Sequence, residues 1–318
     1  MRISSASETA LLALGRALQA ENYSFTTVTP ATHARVNGRA GNEWARDLAG
    51  VFGWSRPFRQ ELLPPSLFEL MTQAEVLIPQ EYGWRSRVRA STLNGMLFFH
   101  SAFPTEAADA VFFGPDTYRF AQTIQRHLAQ QTQPLGRAVD IGCGAGPGAI
   151  LISAAQPATE VLAVDINDQA LQLTRVNAAL AYRDAVHTCH SNLLHDVPGE
   201  FDLIVANPPY LNDPAERAYR HGGGALGAAL SLAIVDTALE RLAPGGSLLL
   251  YTGVAMKDGQ DPFWQAVRPS LTPARFSCHY QELDPDVFGE ELLEPAYADA
   301  DRIAAVELKV TRAPAAFA

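Results

Sequence analysis

Two stretches about 60 residues apart hold the residue types that can do chemistry. The first, Val139-Asp140-Ile141-Gly142-Cys143-Gly144-Ala145-Gly146, is a glycine turn at the end of an apolar run. Gly142, Gly144 and Gly146 let the backbone turn tightly and approach a ligand where a Cβ would clash. The turn opens a helix, whose free N–H groups favour an electronegative group or a carboxylate. A dinucleotide turn, G-x-G-x-x-G, needs glycine at position 147. Pro147 stands there, suited to an early helix position, and Gly148 comes one place late. A nucleotide-like cofactor other than a nicotinamide is expected.

The second stretch is Val205-Ala206-Asn207-Pro208-Pro209-Tyr210, again at the end of an apolar run. It suits a planar nitrogen awaiting a methyl group. Such a nitrogen is a poor nucleophile, because its lone pair is delocalised. Fixed oxygens that accept its N–H bonds orient the lone pair and stabilise positive charge forming on nitrogen. Asn207 offers a side-chain carbonyl, and Pro208 a backbone carbonyl on a restricted segment. Tyr210 offers a ring for stacking on a planar group. The bland alternative is a polar turn with two prolines.

The elements that must position these stretches can be read from periodicity. From Arg137 onward strands and helices alternate, as in βαβ units. Strands are expected at 137–141, 160–165, 185–190, 201–206 and 246–252, and helices at 146–156, 168–181 and 228–242. Two late strands follow near 275–282 and 303–311. The fold class is α/β: a seven-stranded, doubly wound, Rossmann-like sheet, with ligands at the carboxyl ends of its strands. Residues 1–105 read as a smaller α+β module, winged-helix-like, for substrate recognition or as a lid, and 106–318 as the catalytic domain. In the module, helices are expected over 7–20 with Ser7 as cap, from Thr29-Pro30 to Gly38, after Asn42 as a cap, and from Pro65. Val88 to Leu93, Asn94-Gly95 and Met96 to His100 form a hairpin signal. Arg85, Arg87 and Arg89 alternate, so one strand would carry all three on one face, as a basic grip or a solvated edge.

Composition bounds the rest. At 318 residues, with 47% hydrophobic and 18% charged residues, the chain is that of a globular protein. No apolar stretch approaches the roughly 18 residues of a membrane helix, and the N-terminus lacks a basic-then-apolar signal layout. Cys143, Cys189 and Cys278 are too few and too scattered for a disulfide framework, so a cytoplasmic protein is expected. Cys189-His190 and Cys278-His279 match no usual zinc spacing, and no metal is expected. Net charge is −10, and residues 1–105 hold ten arginines against eight acids, so the excess lies in the catalytic domain. That balance argues against broad nucleic-acid affinity.

With these residues in view, the chain resembles class I S-adenosylmethionine (AdoMet) methyltransferases with an Asn-Pro-Pro-Tyr motif. Within them it is similar to the protein-(glutamine-N5) and small-domain methyltransferases. The resemblance spans roughly residues 110–312 and implies AdoMet as cofactor. It implies that Asp140, Gly142, Gly144 and Gly146 border the methionine part of AdoMet. It implies further that Asp165 holds the ribose, where the alternative is a helix cap before Gln169, and that Ile166 packs on the adenine. Asn192 stands where relatives often have Asp, and would accept from the adenine amino group, with Leu193 on an adenine face. Asn207, Pro208 and Tyr210 would be catalytic, with Asn207 also beside the cofactor. Val111-Phe112-Phe113-Gly114-Pro115-Asp116-Thr117 is similar to a cofactor-contacting segment that leads into a helix, or is a simple cap. His221 to Gly227 looks like a glycine loop covering the site, although Ala225 and Leu226 stand where relatives often have Asp. The acidic segment 282–291 is a solvated connector or a wall that repels phosphate. Residues 1–105 do not match the helical substrate domain of release-factor methyltransferases. A protein glutamine amide is the expected acceptor. The alternatives are a nucleic-acid amino group, a small molecule, or a non-catalytic AdoMet-binding subunit.

Overall fold

In the computed structural model, which describes residues 5–213, 217, 219–224 and 226–315, a seven-stranded sheet carries the C-terminal two thirds of the chain. The N-terminal part holds helices α1 (Ala6–Ala20), α2 (Pro30–Asn37), α3 (Leu48–Phe52) and α4 (Pro65–Gln73). Two hairpins follow, β1 (Leu77–Gln80) with β2 (Gly83–Ser86), and β3 (Val88–Leu93) with β4 (Met96–Ser101). Then come α5 (Pro115–Gln130), β5 (Arg137–Ile141), α6 (Pro147–Ala155), β6 (Glu160–Asp165), α7 (Asp168–Leu180), β7 (Val186–His190) and β8 (Phe201–Ala206). The chain continues with α8 (Ala229–Arg241), β9 (Leu242–Met256), α9 (Pro262–Val267), β10 (Phe276–Asp284) and β11 (Arg302–Arg312). Among the described residues no helix is long and apolar enough to cross a membrane.

The sheet order is β10-β11-β9-β8-β5-β6-β7. Strands β7, β6, β5, β8 and β9 run parallel; β11 is antiparallel to both β9 and β10, so it alone is reversed and β10 points the same way as the other five. Val139, Val161, Val205 and Leu250 are fully buried, as continuous apolar runs in a sheet covered on both faces require. The chain leaves β5 toward β6 and β7, then returns to place β8 on the other side of β5. The switch point of the topology therefore lies between β5 and β8, where Ile141 pairs with Ala206. Cys189-His190 ends β7 and Cys278-His279 lies in β10, at opposite edges of this sheet.

In the N-terminal part the Asn-Gly hairpin forms with Leu93 opposite Met96. Asn94 (φ 51°) and Gly95 (φ 75°) both adopt the left-handed conformation that a two-residue turn of this twist needs. Two expected caps are replaced by neighbours. Ser5, not Ser7, accepts the Glu8 N–H at 3.1 Å and starts α1. Asp47, not Asn42, caps α3 through Gly50 N–H, while the Asn42 carboxamide donates to the Val36 carbonyl.

The arginine stripe does not exist as one face. Arg85 lies in β2 and Arg89 in β3, which belong to separate sheets. Arg85 donates to the carbonyls of Ser55 and Phe103. Arg89 is buried against the Ser101 carbonyl, and burial lowers its pKa to about 10. Only Arg87 is exposed, so alternation within the run was broken by the change of partner strand.

One hydrophobic core runs from α1 and the β3–β4 hairpin through α5, α6 and α7 to Tyr251 in β9. The polar link inside it is Asn177 of α7, fully buried. Its carboxamide accepts from Phe99 N–H (2.8 Å) and donates to the Phe99 carbonyl (2.9 Å) and the Ala145 carbonyl (2.8 Å). It thus joins the free edge of β4 to the glycine turn. Beside it, the buried Glu8 carboxylate of α1 meets Arg175 of α7 at 2.6 Å. Each buried backbone group left unpaired costs about 1–3 kcal/mol. Asn177→Ala should therefore lower stability by more than about 2 kcal/mol in urea denaturation; a loss below about half that would remove this link from the structure's support.

Candidate active site

The glycine turn leaves β5 in left-handed conformations at Gly142 (φ 69°), Gly144 (φ 55°) and Gly146 (φ 84°). It is tied to β6, since Gly142 N–H and Cys143 N–H both donate to the Val164 carbonyl, at 2.8 and 3.0 Å. The three glycines face different surroundings. A Cβ at Gly142 would meet nothing within 4 Å, and one at Gly144 only Val111 and Phe112 near 4 Å. Both positions border an open cleft. A Cβ at Gly146 would instead lie 2.8 Å from Thr174 of α7. Gly146 is buried and does not line the cleft, which departs from its expected place beside the cofactor. It shapes the turn and lets α6 start close to α7.

Asp140 is buried at the end of β5 and lines the cleft. Its carboxylate accepts Ala149 N–H of α6 at 3.0 Å, and a Cβ at Gly148 would come within 2.6 Å of it. This close approach is why glycine stands at 148. Burial pushes the Asp140 pKa up to about 7; N–H bonds from α6 pull it down and neighbouring Asp165 adds to the rise.

Asp165, at the end of β6, accepts Gly144 N–H and Asn167 N–H, both at 2.9 Å. Burial raises its pKa as well. The cap of α7 is Asn167, which accepts Gln169 N–H at 3.0 Å, so Asp165 is not the helix cap. Instead it braces the glycine turn and lines the cleft. Beside it Ile166 is 55% exposed and presents an apolar side chain to the cleft. Asn192 and Leu193 (φ 52°) complete this side of the cleft.

The opposite side is built by Asn207, Pro208, Pro209 and Tyr210 after β8. Because Ile141 pairs with Ala206, the two turns leave the sheet as neighbours and open on one cleft. Among the described residues the Asn207 carboxamide makes no hydrogen bond. Tyr210 is more enclosed than a free stacking platform would be, at 6% exposure. Its ring lies on Gly253 of β9, where a Cβ would sit 2.1 Å from it, and edge-on to Phe288 at 5.8 Å. Phe288 places part of the acidic segment on the cleft wall rather than in a solvated connector.

Sequence reading missed the partner of Tyr210. The Tyr210 hydroxyl donates to Asp116 at 2.8 Å, and Asp116 also lines the cleft. A Pro-Asp pair at a helix start reads as a cap, yet Thr117 and Gly114 cap α5 between them. The segment Val111 to Thr117 itself reaches the cleft through Val111, Phe112, Asp116 and Thr117.

In the stretch after the tetrapeptide, Tyr219 donates to the Thr105 carbonyl at 2.6 Å, and Arg220 pairs with Glu291 and, at 3.6 Å, Asp213. His221 accepts Asp213 N–H at 3.2 Å and so closes its own loop. Ala225 of the glycine loop lies outside the described residues.

The residues fit AdoMet. An open cradle over Gly142 and Gly144, a carboxylate at Asp165 able to accept hydroxyls and an exposed apolar side chain at Ile166 lie along one cleft, which suits a ligand with charged, hydroxylated and apolar parts.

Residues 117–258 match the methyltransferase small domain family. Over 204 residues the chain is 34% identical to the release factor glutamine methyltransferase of Deinococcus radiodurans, covering 59% of this chain and 72% of that one. Over 130 residues it is 35% identical to a tRNA1(Val) (adenine(37)-N6)-methyltransferase of Aeromonas hydrophila, covering 38% of this chain and 53% of that one. The solved structure of M. jannaschii TYW2 in complex with AdoMet has the same fold, with TM-score 0.50 and 13% identity over 75% of this chain and 92% of that one.

Gly245 offers a control for the cradle, because it too has a positive φ (82°) and open space for a Cβ, but lies outside the cleft. Both Gly142→Ala and Gly245→Ala should cost about 1–2 kcal/mol of stability. Only Gly142→Ala should weaken calorimetric AdoMet affinity, by about tenfold or more; equal affinities would take Gly142 out of the cofactor site.

Proposed function

We propose, from the premise that the chain belongs to the small-domain family of AdoMet-dependent methyltransferases, that it methylates a protein glutamine side-chain amide on nitrogen. The observation that supports this best is the pairing of Ile141 with Ala206, which sets the glycine turn and the Asn-Pro-Pro-Tyr turn side by side on one cleft. AdoMet supplies a methyl group already activated on a sulfonium, so the chain has to place the nitrogen rather than strip it of a proton first.

Asn207 and the Pro208 carbonyl would accept the two amide hydrogens, turning the nitrogen lone pair toward the cofactor side. As positive charge forms on nitrogen, these same oxygens stabilise it. On that cofactor side, Asp140, Gly142 and Gly144 would border the methionine part, and Asp165 would accept the ribose hydroxyls. Ile166 and Leu193 would cover the adenine faces, with the Asn192 carbonyl accepting the adenine amino group. Gly146 would act through the shape of the turn.

Charge favours protein over nucleic acid as acceptor. Residues 282–301 hold eight acids and no lysine or arginine, and Phe288 brings this segment to the cleft wall. Four of the eight pair with Arg119, Arg220, Lys257 and Arg302; among the described residues Asp286, Glu290, Glu294 and Asp301 have no cationic partner and repel phosphates approaching that rim. Two of the three arginines that could have gripped a phosphate backbone are committed to carbonyls inside the fold. Residues 1–105 would then select the acceptor protein, in the cytoplasm where such acceptors are made.

Incubation with methyl-labelled AdoMet and a cell lysate, divided between protease and nuclease, tests the acceptor class. Label should disappear with protease and reappear as N5-methylglutamine after enzymatic digestion. Label lost only to nuclease would move the acceptor to a nucleic-acid amino group. Asn207→Ala should keep AdoMet affinity within about threefold and lower turnover about 100-fold or more. Asp165→Ala should weaken AdoMet binding by about tenfold. Wild-type turnover in the first variant, or wild-type affinity in the second, would remove the assigned role.

A further inference from the structure

We infer that Asp116, carried by α5 and outside both motifs, is a positioning residue for the acceptor side of the cleft, acting through Tyr210. The inference rests on the reading of Asn-Pro-Pro-Tyr as the acceptor turn.

Asp116 is 4% exposed, and both of its oxygens are engaged. Oδ2 accepts the Tyr210 hydroxyl at 2.8 Å. Oδ1 accepts the Tyr251 hydroxyl at 2.7 Å and Arg119 Nη1 at 3.2 Å. Arg119 continues to Asp284 through its other nitrogen, at 2.7 Å. One carboxylate thus gathers the first turn of α5, the acceptor turn after β8, the buried strand β9 and the root of the acidic wall.

Hydroxyls donating to both oxygens call for the ionised acid, and the adjacent guanidinium supplies the compensating charge. So costly an arrangement in a buried place does little for stability by itself, since an apolar replacement of the same shape can serve as well. Its geometric effect is specific. The floor under the Tyr210 ring is Gly253, which has no side chain to register against, and Phe288 meets the ring at a steep angle with centroids 5.8 Å apart. Apolar contact is not directional, so it does not by itself fix the rotation of the ring in its own plane. The hydroxyl tether to Asp116 removes that freedom. Tyr210 is bonded to Pro209, so fixing the ring also fixes the short segment that presents the Pro208 carbonyl. A displacement of about 1 Å at a reacting nitrogen can cost about 100-fold in rate.

Tyr251 separates this role from ordinary contact with ligands, because it is fully buried and does not line the cleft. It touches Asp116 only from behind.

The test uses the full chain, methyl-labelled AdoMet at saturation, and lysate protein at varied concentration. Asp116→Asn keeps the shape, and Tyr210→Phe and Tyr251→Phe each remove one hydroxyl. Asp116→Asn and Tyr210→Phe should lower the maximal rate by about tenfold or more, and Tyr251→Phe by a smaller factor, with AdoMet affinity within about threefold of wild type. The double variant Asp116→Asn/Tyr210→Phe should be no slower than Asp116→Asn alone. Wild-type rates, additive losses, or AdoMet affinity falling in step with rate would overturn the proposal.

A second measurement needs no acceptor. With tyrosine labelled at Cζ with carbon-13, the Tyr210 and Tyr251 signals should shift in Asp116→Asn and stay in place in the control Asp286→Asn. An unmoved Tyr210 signal would remove the tether whatever the enzyme methylates. Should label appear in nucleic acid, the glutamine reading fails, while rates on that fraction still decide the role of Asp116.

Discussion

The pairing of β5 with β8 is the constraint on which the site depends. Parallel neighbours end on the same side of the sheet, and the register that sets Ile141 beside Ala206 brings Gly142 beside Asn207. A one-residue slip would exchange the side chains of the two cores, Ala138 and Leu203 on one face and Val139 and Ile204 on the other, so close packing on both faces holds the register. Val139 and Val205 are fully buried on those strands and leave no room for an alternative. Cofactor cradle and acceptor turn therefore inherit their spacing from core packing.

Around that junction the chain buries two carboxylates and half-buries a third, each tied to donors. Asp140 accepts from the first turn of α6, Asp165 from the glycine turn and from Asn167, and Asp116 from two tyrosines and an arginine. Burial raises the pKa of all three. Carboxylates placed this way hold loops in one conformation, at a desolvation cost that the donors only partly offset. Their concentration at one end of the sheet, where the cleft lies, is what a site prepared for a cationic ligand needs.

The N-terminal part joins this arrangement from behind. Asn177 connects Phe99 of the hairpin with Ala145 of the glycine turn, and Tyr219 connects the stretch after the acceptor turn with Thr105. The module is thus bonded to both halves of the cleft. A hairpin edge satisfied by a side-chain amide is also an edge that no other strand can extend.

Much of this was legible in the chain alone. Strands β5, β6 and β8 follow from apolar runs of fixed length, and the β3–β4 hairpin from Asn94-Gly95, because local sterics and periodicity are properties of neighbouring residues. So are the left-handed turns at Gly142 and Gly144. What neighbours cannot decide is which distant group a side chain meets. The split of Arg85 and Arg89 between two sheets, the turning of Gly146 toward Thr174, and the bond from Tyr210 to Asp116 across 94 residues all arise from tertiary contact. The sequence determined the chemical groups and the turns that carry them. Only the packing of β5 against β8, with α5 laid across β9, decided that these groups share one cleft and which of them hold the others still.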